Sequence, residues 1–191
     1  MPIVSAVSSA SPEQAIARVR AWIERFVVDL NLCPFARPVV SSDALRIVAC
    51  ESASPEAIAT MLITELDRLS QTSESDIATS VLVFPEGLEE FDDYLGFLDD
   101  AQMVLEEMGL AGEIQLASFH PDYRFEGEPV DAVSHFTNRA PYPLIHLLRE
   151  TMVMTALENY PNPERIPERN IQTLERLGLA GIERLLHSLD R

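Results

Sequence analysis

Apolar positions recur at helical spacing in several stretches of this chain of 191 residues. The first stretch begins at Ser11, a serine N-cap that is followed by a proline and, three residues later, by Gln14, which completes a capping box. The repeat that follows predicts a helix to about Asn31, before Pro34. The same spacing predicts further helices over residues 54–69, 88–108 and 141–159.

Three short apolar runs lie between and after these helices and predict β-strands, over residues 45–50, 80–84 and 113–119. Strands that alternate with helical crossovers are typical of parallel pairing in right-handed βαβ units. We therefore expect an α/β fold with a small, mainly parallel three-stranded sheet and flanking helices. A ferredoxin-like α+β sheet is the alternative.

The domain organisation follows from the same pattern. Residues 1–10 are small and polar, which predicts a disordered tail. Residues 11–191 are long enough for one hydrophobic core and are expected to form a single domain. The C-terminal third is predicted to be helical, with a break or bend at Gly178 and at Gly181. Residues 160–191 are expected to serve packing rather than chemistry.

Ligands of parallel sheets bind outside the carboxyl ends of the strands. Cys50, Pro85 and His120 stand at or just beyond the ends of the three predicted strands. We therefore expect these three residues at one edge of the sheet, where a site would form.

The charge and composition exclude several classes of function. The net charge of −17 disfavours nucleic acid and anionic membrane surfaces as partners. All fourteen basic residues are arginine, so a Schiff-base lysine and a phosphate-loop lysine are both absent. No apolar run approaches the ~20 residues of a membrane span, and the N-terminus does not resemble a signal peptide. A cytoplasmic location is expected, with Cys33 and Cys50 reduced.

Residues 86–107 contain nine acidic residues and no basic one. One interpretation is a solvated helix face, and the other is a docking face for a basic partner. A non-enzymatic interaction module therefore stays among the candidate functions.

The segment from residue 118 to residue 150 has three of the four histidines and little simple periodicity, which favours a site on a loop. The leading hypothesis is an enzyme in which Cys33 is the nucleophile and His120 is its base. His146 and Glu150, four residues apart on the predicted helix, would orient them. The alternative is a metal-binding protein that uses Cys33, His120, His146 and Glu150. The cofactor is left open.

Arginine forms bidentate hydrogen bonds with carboxylate and phosphate groups, so a small anionic substrate is expected. Arg37, Arg139 and Arg149 are the candidates for holding it, with Tyr142 in the pocket wall. Each arginine has a structural alternative, in which it ties loop carbonyls together or pairs with an acid. The oligomeric state is not indicated by the sequence.

Four motifs resemble one known family, and they are LCPFA at 32–36, FHPDYRF at 119–125, NRAPYPLIHLLRE at 138–150 and IPERN at 166–170. It is a bacterial and plastid family known as domain of unknown function 1415. The resemblance covers nearly the whole chain beyond residue 11, and it implies a single domain without an established activity. The family pattern has a serine where this chain has Ala140, which argues against a serine nucleophile there.

Overall fold

A four-stranded sheet forms the centre of the fold in the computed structural model, which describes residues 10–190. The spatial order of its strands is β1-β2-β4-β3. Almost all of the predicted tail, residues 1–9, lies outside the described residues. The strands are β1 (Leu45–Ala49), β2 (Thr79–Val83), β3 (Ile114–Phe119) and β4 (Leu144–Arg149).

The helices of the described part are α1 (Pro12–Trp22), α2 (Ala36–Val40), α3 (Pro55–Gln71), α4 (Phe91–Glu107), α5 (Glu150–Glu158) and α6 (Ile166–His187). The helix α1 has the predicted capping box and continues as a π-helix over Ile23–Val28. Short 3₁₀ turns cover Val133–Thr137, Pro163–Arg165 and Ser188–Asp190. Gly178 has a φ of 69° and interrupts α6, which confirms the predicted break there, whereas Gly181 keeps helical backbone and the break predicted at it is wrong.

The sheet is mixed, so the prediction of a mainly parallel three-stranded sheet is wrong. β1 pairs with β2 in parallel, whereas β4 pairs with both β2 and β3 in an antiparallel arrangement. Because β4 is antiparallel to both neighbours, β1, β2 and β3 still run in the same direction. Their carboxyl ends therefore lie at the same end of the sheet, as expected for Cys50, Pro85 and His120.

The missing strand is β4, which lies inside the segment that was predicted to be one helix from residue 141 to residue 159. Leu144 and Leu147 fit helical spacing, but both are buried at the centre of the sheet. A strand that is covered on both faces has an almost continuous apolar sequence, which periodicity cannot separate from a buried helix. Pro141 and Pro143 disfavour helical backbone just before it.

Two hydrophobic layers cover the sheet. On one face, Val81 and Leu144 pack in a cluster with α1 and α6. On the other face, Leu82 and Ile145 pack in a cluster with α3 and α4. The C-terminal helix α6 thus shares a layer with the N-terminal helix α1.

The nine acidic residues of the 86–107 segment are all exposed, as both the solvated-face and the docking-face interpretations require. On the inward face of α4, Tyr94 is buried, whereas Leu95 is 41% exposed. No helix within residues 10–190 has the length and apolarity that crossing a membrane requires.

Candidate functional site

His120, the predicted base, is fully buried just beyond the end of β3. Its Nε2–H donates to the carbonyl of Leu88 at 3.0 Å, and its Nδ1 accepts from the backbone N–H of Asp122 at 3.0 Å. The rings of Phe91 and Tyr94 lie 5.2 and 5.0 Å from the imidazole. Burial lowers the pKa of His120, so the ring is neutral at pH 7. Both ring nitrogens are bound to backbone groups, and neither faces an open site.

His135 has the same arrangement in the next part of the loop. Its Nδ1 accepts from the N–H of Phe125 at 3.1 Å, and its Nε2–H donates to the carbonyl of Pro129 at 2.8 Å. Asn138 adds a third tie, because its side-chain amide donates to the carbonyl of Ser118 at 3.0 Å. Between β3 and β4, the segment that was predicted to hold a site is therefore an irregular loop, and these three polar side chains bond to backbone groups.

His146 and Glu150 do not share a helix face, so that prediction is wrong. His146 lies in β4, and Glu150 is the first residue of α5. The hydroxyl of Thr79 donates to the carbonyl of Leu147 at 2.5 Å, so its contact of 2.6 Å with His146 requires a proton on Nε2 of the imidazole. Burial lowers the pKa of His146 to about 4.

Arg149 holds backbone carbonyls, which is the structural alternative foreseen for it. Its guanidinium donates to the carbonyls of Leu69 at 2.8 Å, Thr72 at 2.6 Å and Ile77 at 3.0 Å. These bonds fasten the end of α3 to the segment that precedes β2.

The other predicted substrate-binding residues are dispersed. The side chain of Arg37 is 66% exposed. The guanidinium of Arg139 lies 4.5 Å from the centre of the Phe136 ring, and burial lowers the pKa of Arg139. Tyr142 is buried beneath the guanidinium of Arg18, which lies 5.6 Å from the ring centre. Their role in binding stays a prediction.

Cys33 lies in the turn between the π-helix and α2, and its thiol is partly buried. Burial raises the pKa of Cys33, and the backbone N–H groups of Phe35 and Ala36 only partly oppose that rise. Within the described part of the chain, no histidine is among the groups that shift this pKa. The pairing of Cys33 with His120 stays a prediction.

A cleft of about 140 Å³ lies beside this turn, between the end of the first helical segment and the start of α6. We call it the Arg169 cleft. Its apolar wall consists of Leu30, Pro34 and Ile166. Its polar residues are Asn31, Tyr160, Arg169, Asn170, Thr173 and Arg176.

The guanidinium of Arg169 is held rigidly in the cleft wall. Its Nε donates to the carbonyl of Arg165 at 3.3 Å, and its Nη1 donates to the hydroxyl of Tyr160 at 3.1 Å. The tyrosine ring also lies 5.1 Å from the guanidinium carbon, a cation–π distance. The third nitrogen, Nη2, is buried and has no hydrogen-bond partner within residues 10–190. No carboxylate of the described residues forms an ion pair with Arg169, although the net charge of the chain is −17.

Local sequence explains how the first wall of the cleft forms. Asn31 has a φ of 54°, in the left-handed region, and it ends the helical segment. The N–H groups of Asn31 and Leu32 then bond to the carbonyls of Val28 and Val27, at 3.1 and 2.9 Å. This is the Schellman arrangement, in which asparagine is one of the few residues besides glycine that fit. The chain thereby reverses and presents Pro34 to the cleft.

The second wall depends on prolines and on helical spacing. The sequence Tyr160-Pro-Asn-Pro ends α5, and Asn162 adopts a left-handed φ of 53° before the 3₁₀ turn. Arg169, Thr173 and Arg176 then lie at positions i, i+4 and i+7 of α6, which places them on one face. The two arginines are about 10 Å apart along the helix axis at 1.5 Å per residue.

Sequence reasoning missed these residues, because it assigned the segment from residue 160 onward to packing. The signal was nevertheless present. The LCPFA and IPERN motifs, which are distant in sequence, line the same cleft through Pro34, Ile166, Arg169 and Asn170.

A metal centre has no support from the geometry. Within residues 10–190, no three side chains of His, Cys, Asp or Glu lie close enough together to hold one ion. The alternative that combined Cys33, His120, His146 and Glu150 therefore lacks its ligand cluster.

Comparison with known proteins gives a family and no activity. The model of a family described as a protein of unknown function, DUF1415, matches residues 14–184, nearly the whole chain. No curated protein and no solved structure is significantly similar to this chain. Both walls of the Arg169 cleft lie within the matched residues.

Proposed function

Since this chain belongs to the DUF1415 family, whose function is unknown, its role has to be inferred from its site, and we propose that it binds a small organic carboxylate in the Arg169 cleft. The proposal keeps the anionic ligand that the arginines of the sequence suggested. It places that ligand at a different set of residues from those predicted.

The observation that carries the proposal is the buried Nη2 of Arg169, which has no partner among the described residues. A buried donor without an acceptor costs about 1–3 kcal/mol, and more when the group is charged. The rest of the guanidinium is fixed by Arg165 and Tyr160, so the donor cannot turn away without losing those bonds. A ligand oxygen would satisfy Nη2 and neutralise the charge in one contact.

The hydrogen-bonding groups of the cleft favour a carboxylate over a phosphate. The hydroxyl of Thr173 already donates to the carbonyl of Arg169 at 2.8 Å, so it has no proton left for a ligand. One amide proton of Asn170 is bound to the carbonyl of Leu32. Thr173 and Asn170 thus offer a ligand a single proton between them, and a carboxylate needs fewer donors than the three or more oxygens of a phosphate.

The size of the cleft limits the rest of the ligand. At about 140 Å³ it is close to the volume that admits a benzene-sized molecule. Leu30, Pro34 and Ile166 provide an apolar wall for a short hydrocarbon body. We therefore infer a carboxylate with roughly six to ten non-hydrogen atoms.

The proposed role is binding, and it assigns no thiolate chemistry to the neighbouring Cys33. Because burial raises the pKa of this thiol, it stays protonated near pH 7. A hypothesis of Cys33 as nucleophile needs the opposite shift.

The experiment is a thermal-unfolding series with propanoate, benzoate and the corresponding neutral amides. A ligand that binds only the folded state stabilises it by RT ln(1 + [L]/Kd), about 2.7 kcal/mol at a hundred times Kd. We expect benzoate to raise the unfolding temperature in a saturable manner while benzamide does not. Equal shifts for each acid and its amide would contradict the proposal, as would no shift at all.

A further inference from the structure

We propose that β1 is a docking edge to which an extended, basic segment of a partner protein adds as a further strand. β1 stands at the end of the strand order, and among the strands of residues 10–190 it pairs only with β2. This surface is separate from the Arg169 cleft, and the inference does not depend on the function proposed there.

The backbone of β1 has hydrogen-bonding groups available on its outer side. The N–H of Cys50 donates to the carbonyl of Val83 at 2.8 Å, and the carbonyl of Ala44 accepts from the N–H of Ala78 at 2.9 Å. The backbone N–H and carbonyl groups of the even-numbered residues therefore point towards β2. Backbone groups alternate in direction along a strand, so the odd-numbered residues Leu45, Ile47 and Ala49 face outward. No hydrogen bond within residues 10–190 engages their N–H or carbonyl groups.

Nothing in the strand itself protects this edge. Natural edge strands carry lysine, proline or a bulge that discourages pairing, but β1 reads LRIVA and keeps an unbroken register with β2. Its one charged side chain, Arg46, is drawn onto α3 by two hydrogen bonds to Glu65, of 2.6 and 2.9 Å.

The opposite edge of the sheet provides a contrast. At the end of β3, the carbonyl of Ser118 accepts from the side-chain amide of Asn138 at 3.0 Å. The backbone carbonyl of Asn138 in turn accepts from the N–H of His120 at 3.1 Å. Part of that edge is thus satisfied by the loop, whereas β1 has no such cover among the described residues.

A groove of about 590 Å³ runs along β1 against α3 and indicates the chemistry of the partner. Val48 and Met61 form part of its apolar floor. Glu51 and Glu56 line it with exposed carboxylates, and neither is in an ion pair with the described residues. Strand addition gives affinity through the main chain and specificity through alternate side chains. An incoming segment with arginine or lysine at alternate positions matches both features, whereas a second copy of a chain of charge −17 does not.

The test uses a short fluorescent peptide in which arginine alternates with valine, and measures its binding by anisotropy at fixed ionic strength. Two altered peptides separate the contributions. In one, glutamate replaces arginine, and in the other, alternate amides are N-methylated so that one edge cannot pair. We expect saturable binding of the first peptide, and at least about tenfold weaker binding of both others. Equal binding of the N-methylated peptide would overturn strand addition.

Protein variants locate the site. Ala49→Pro removes one outward N–H without touching the ladder to β2, and we expect it to weaken peptide binding at least about tenfold. A double charge reversal, Glu51→Arg with Glu56→Arg, should do the same. The matched control is Asp99→Arg with Asp100→Arg on α4, which changes the net charge equally and should leave binding within about twofold.

If the α4 control weakens binding as much as the groove variant, attraction is a general charge effect and the proposal fails. If the wild-type protein is a dimer in sedimentation and Ala49→Pro makes it a monomer, the edge is occupied by a second copy, which also overturns it. Circular dichroism of each variant confirms that it is folded before binding is measured.

Discussion

The side-chain amide of Asn170 donates a hydrogen bond of 2.7 Å to the carbonyl of Leu32, which lies 138 positions earlier in the chain. This bond joins the two walls of the Arg169 cleft, one from the turn after the first helical segment and the other from α6. Beside it, the rings of Phe35 and Tyr160 meet edge to face at 5.4 Å between centroids. The cleft therefore forms because residues 30–34 pack against residues 160–176.

Replacing Asn170 by Ala should destabilise this junction. The carbonyl of Leu32 loses its donor, and we expect a loss of about 1–2 kcal/mol in the free energy of unfolding. Asn159→Ala is the matched control, because that amide also bonds to a carbonyl at 2.7 Å but on an exposed helix end. The control should stay within about 0.5 kcal/mol in urea denaturation. Equal losses in the two variants would show that the Asn170 bond stabilises the fold no more than an exposed bond does.

Tyr94 makes a second structural prediction. Its buried hydroxyl donates to the carbonyl of Leu144 at 2.8 Å and accepts from the N–H of Phe119 at 2.9 Å, so it bridges β4 and β3. Tyr94→Phe leaves both backbone groups without a partner, and we expect a loss of about 2–3 kcal/mol in urea denaturation. Tyr123→Phe, whose hydroxyl has no hydrogen bond within residues 10–190, is the control and should change little. A small effect at Tyr94 would contradict the bridge.

His146 should make stability depend on pH. Its pKa is about 4 in the folded protein and about 6.5 in an unfolded chain, so the unfolded state binds a proton first as the pH falls. This contribution is fully present above pH 6.5 and is lost towards pH 4, by about 3 kcal/mol. His146→Gln keeps an N–H donor for Thr79 but cannot titrate. Between pH 6.5 and pH 4, the free energy of unfolding should therefore fall by about 3 kcal/mol more in the wild type than in the variant. Parallel curves of unfolding free energy against pH would contradict the prediction.

The thiol of Cys33 should titrate above its ordinary value of about 8.5. Burial is the cause, since taking a thiolate out of water raises the pKa. The measurement is the rate of alkylation against pH on a Cys50→Ser background, with the same protein in urea as the reference. A midpoint below pH 7 in the folded protein would restore the nucleophile hypothesis.

Features that depend on neighbouring residues in the chain could be predicted from the sequence. The serine cap at Ser11, the helices that begin after Ser11 and after Ser54, and the break at Gly178 all have local causes. The common direction of β1, β2 and β3 also followed from their helical crossovers. The strand β4 did not, because burial on both faces removes the alternation by which a strand is recognised.

The candidate site could not be predicted because it depends on packing between distant segments. Tyr160 and Arg169 have ordinary positions in a helical tail, and only the fold brings them against Pro34. Conversely, His120 was predicted to be a catalytic base, whereas both of its ring nitrogens bond to the backbone in the structure. A sequence shows which side chains can titrate but not which backbone groups they satisfy.

The most direct test of the carboxylate site is a calorimetric titration of benzoate into the wild type, Arg169→Met and Arg165→Met. Arg165 is the matched control, because it is an exposed arginine of the same turn that pairs with Glu168 at 3.3 Å. We predict that Arg169→Met weakens benzoate binding at least about tenfold, the loss of one charge-assisted hydrogen bond. Arg165→Met should bind like the wild type. Equal binding by all three proteins would contradict the account.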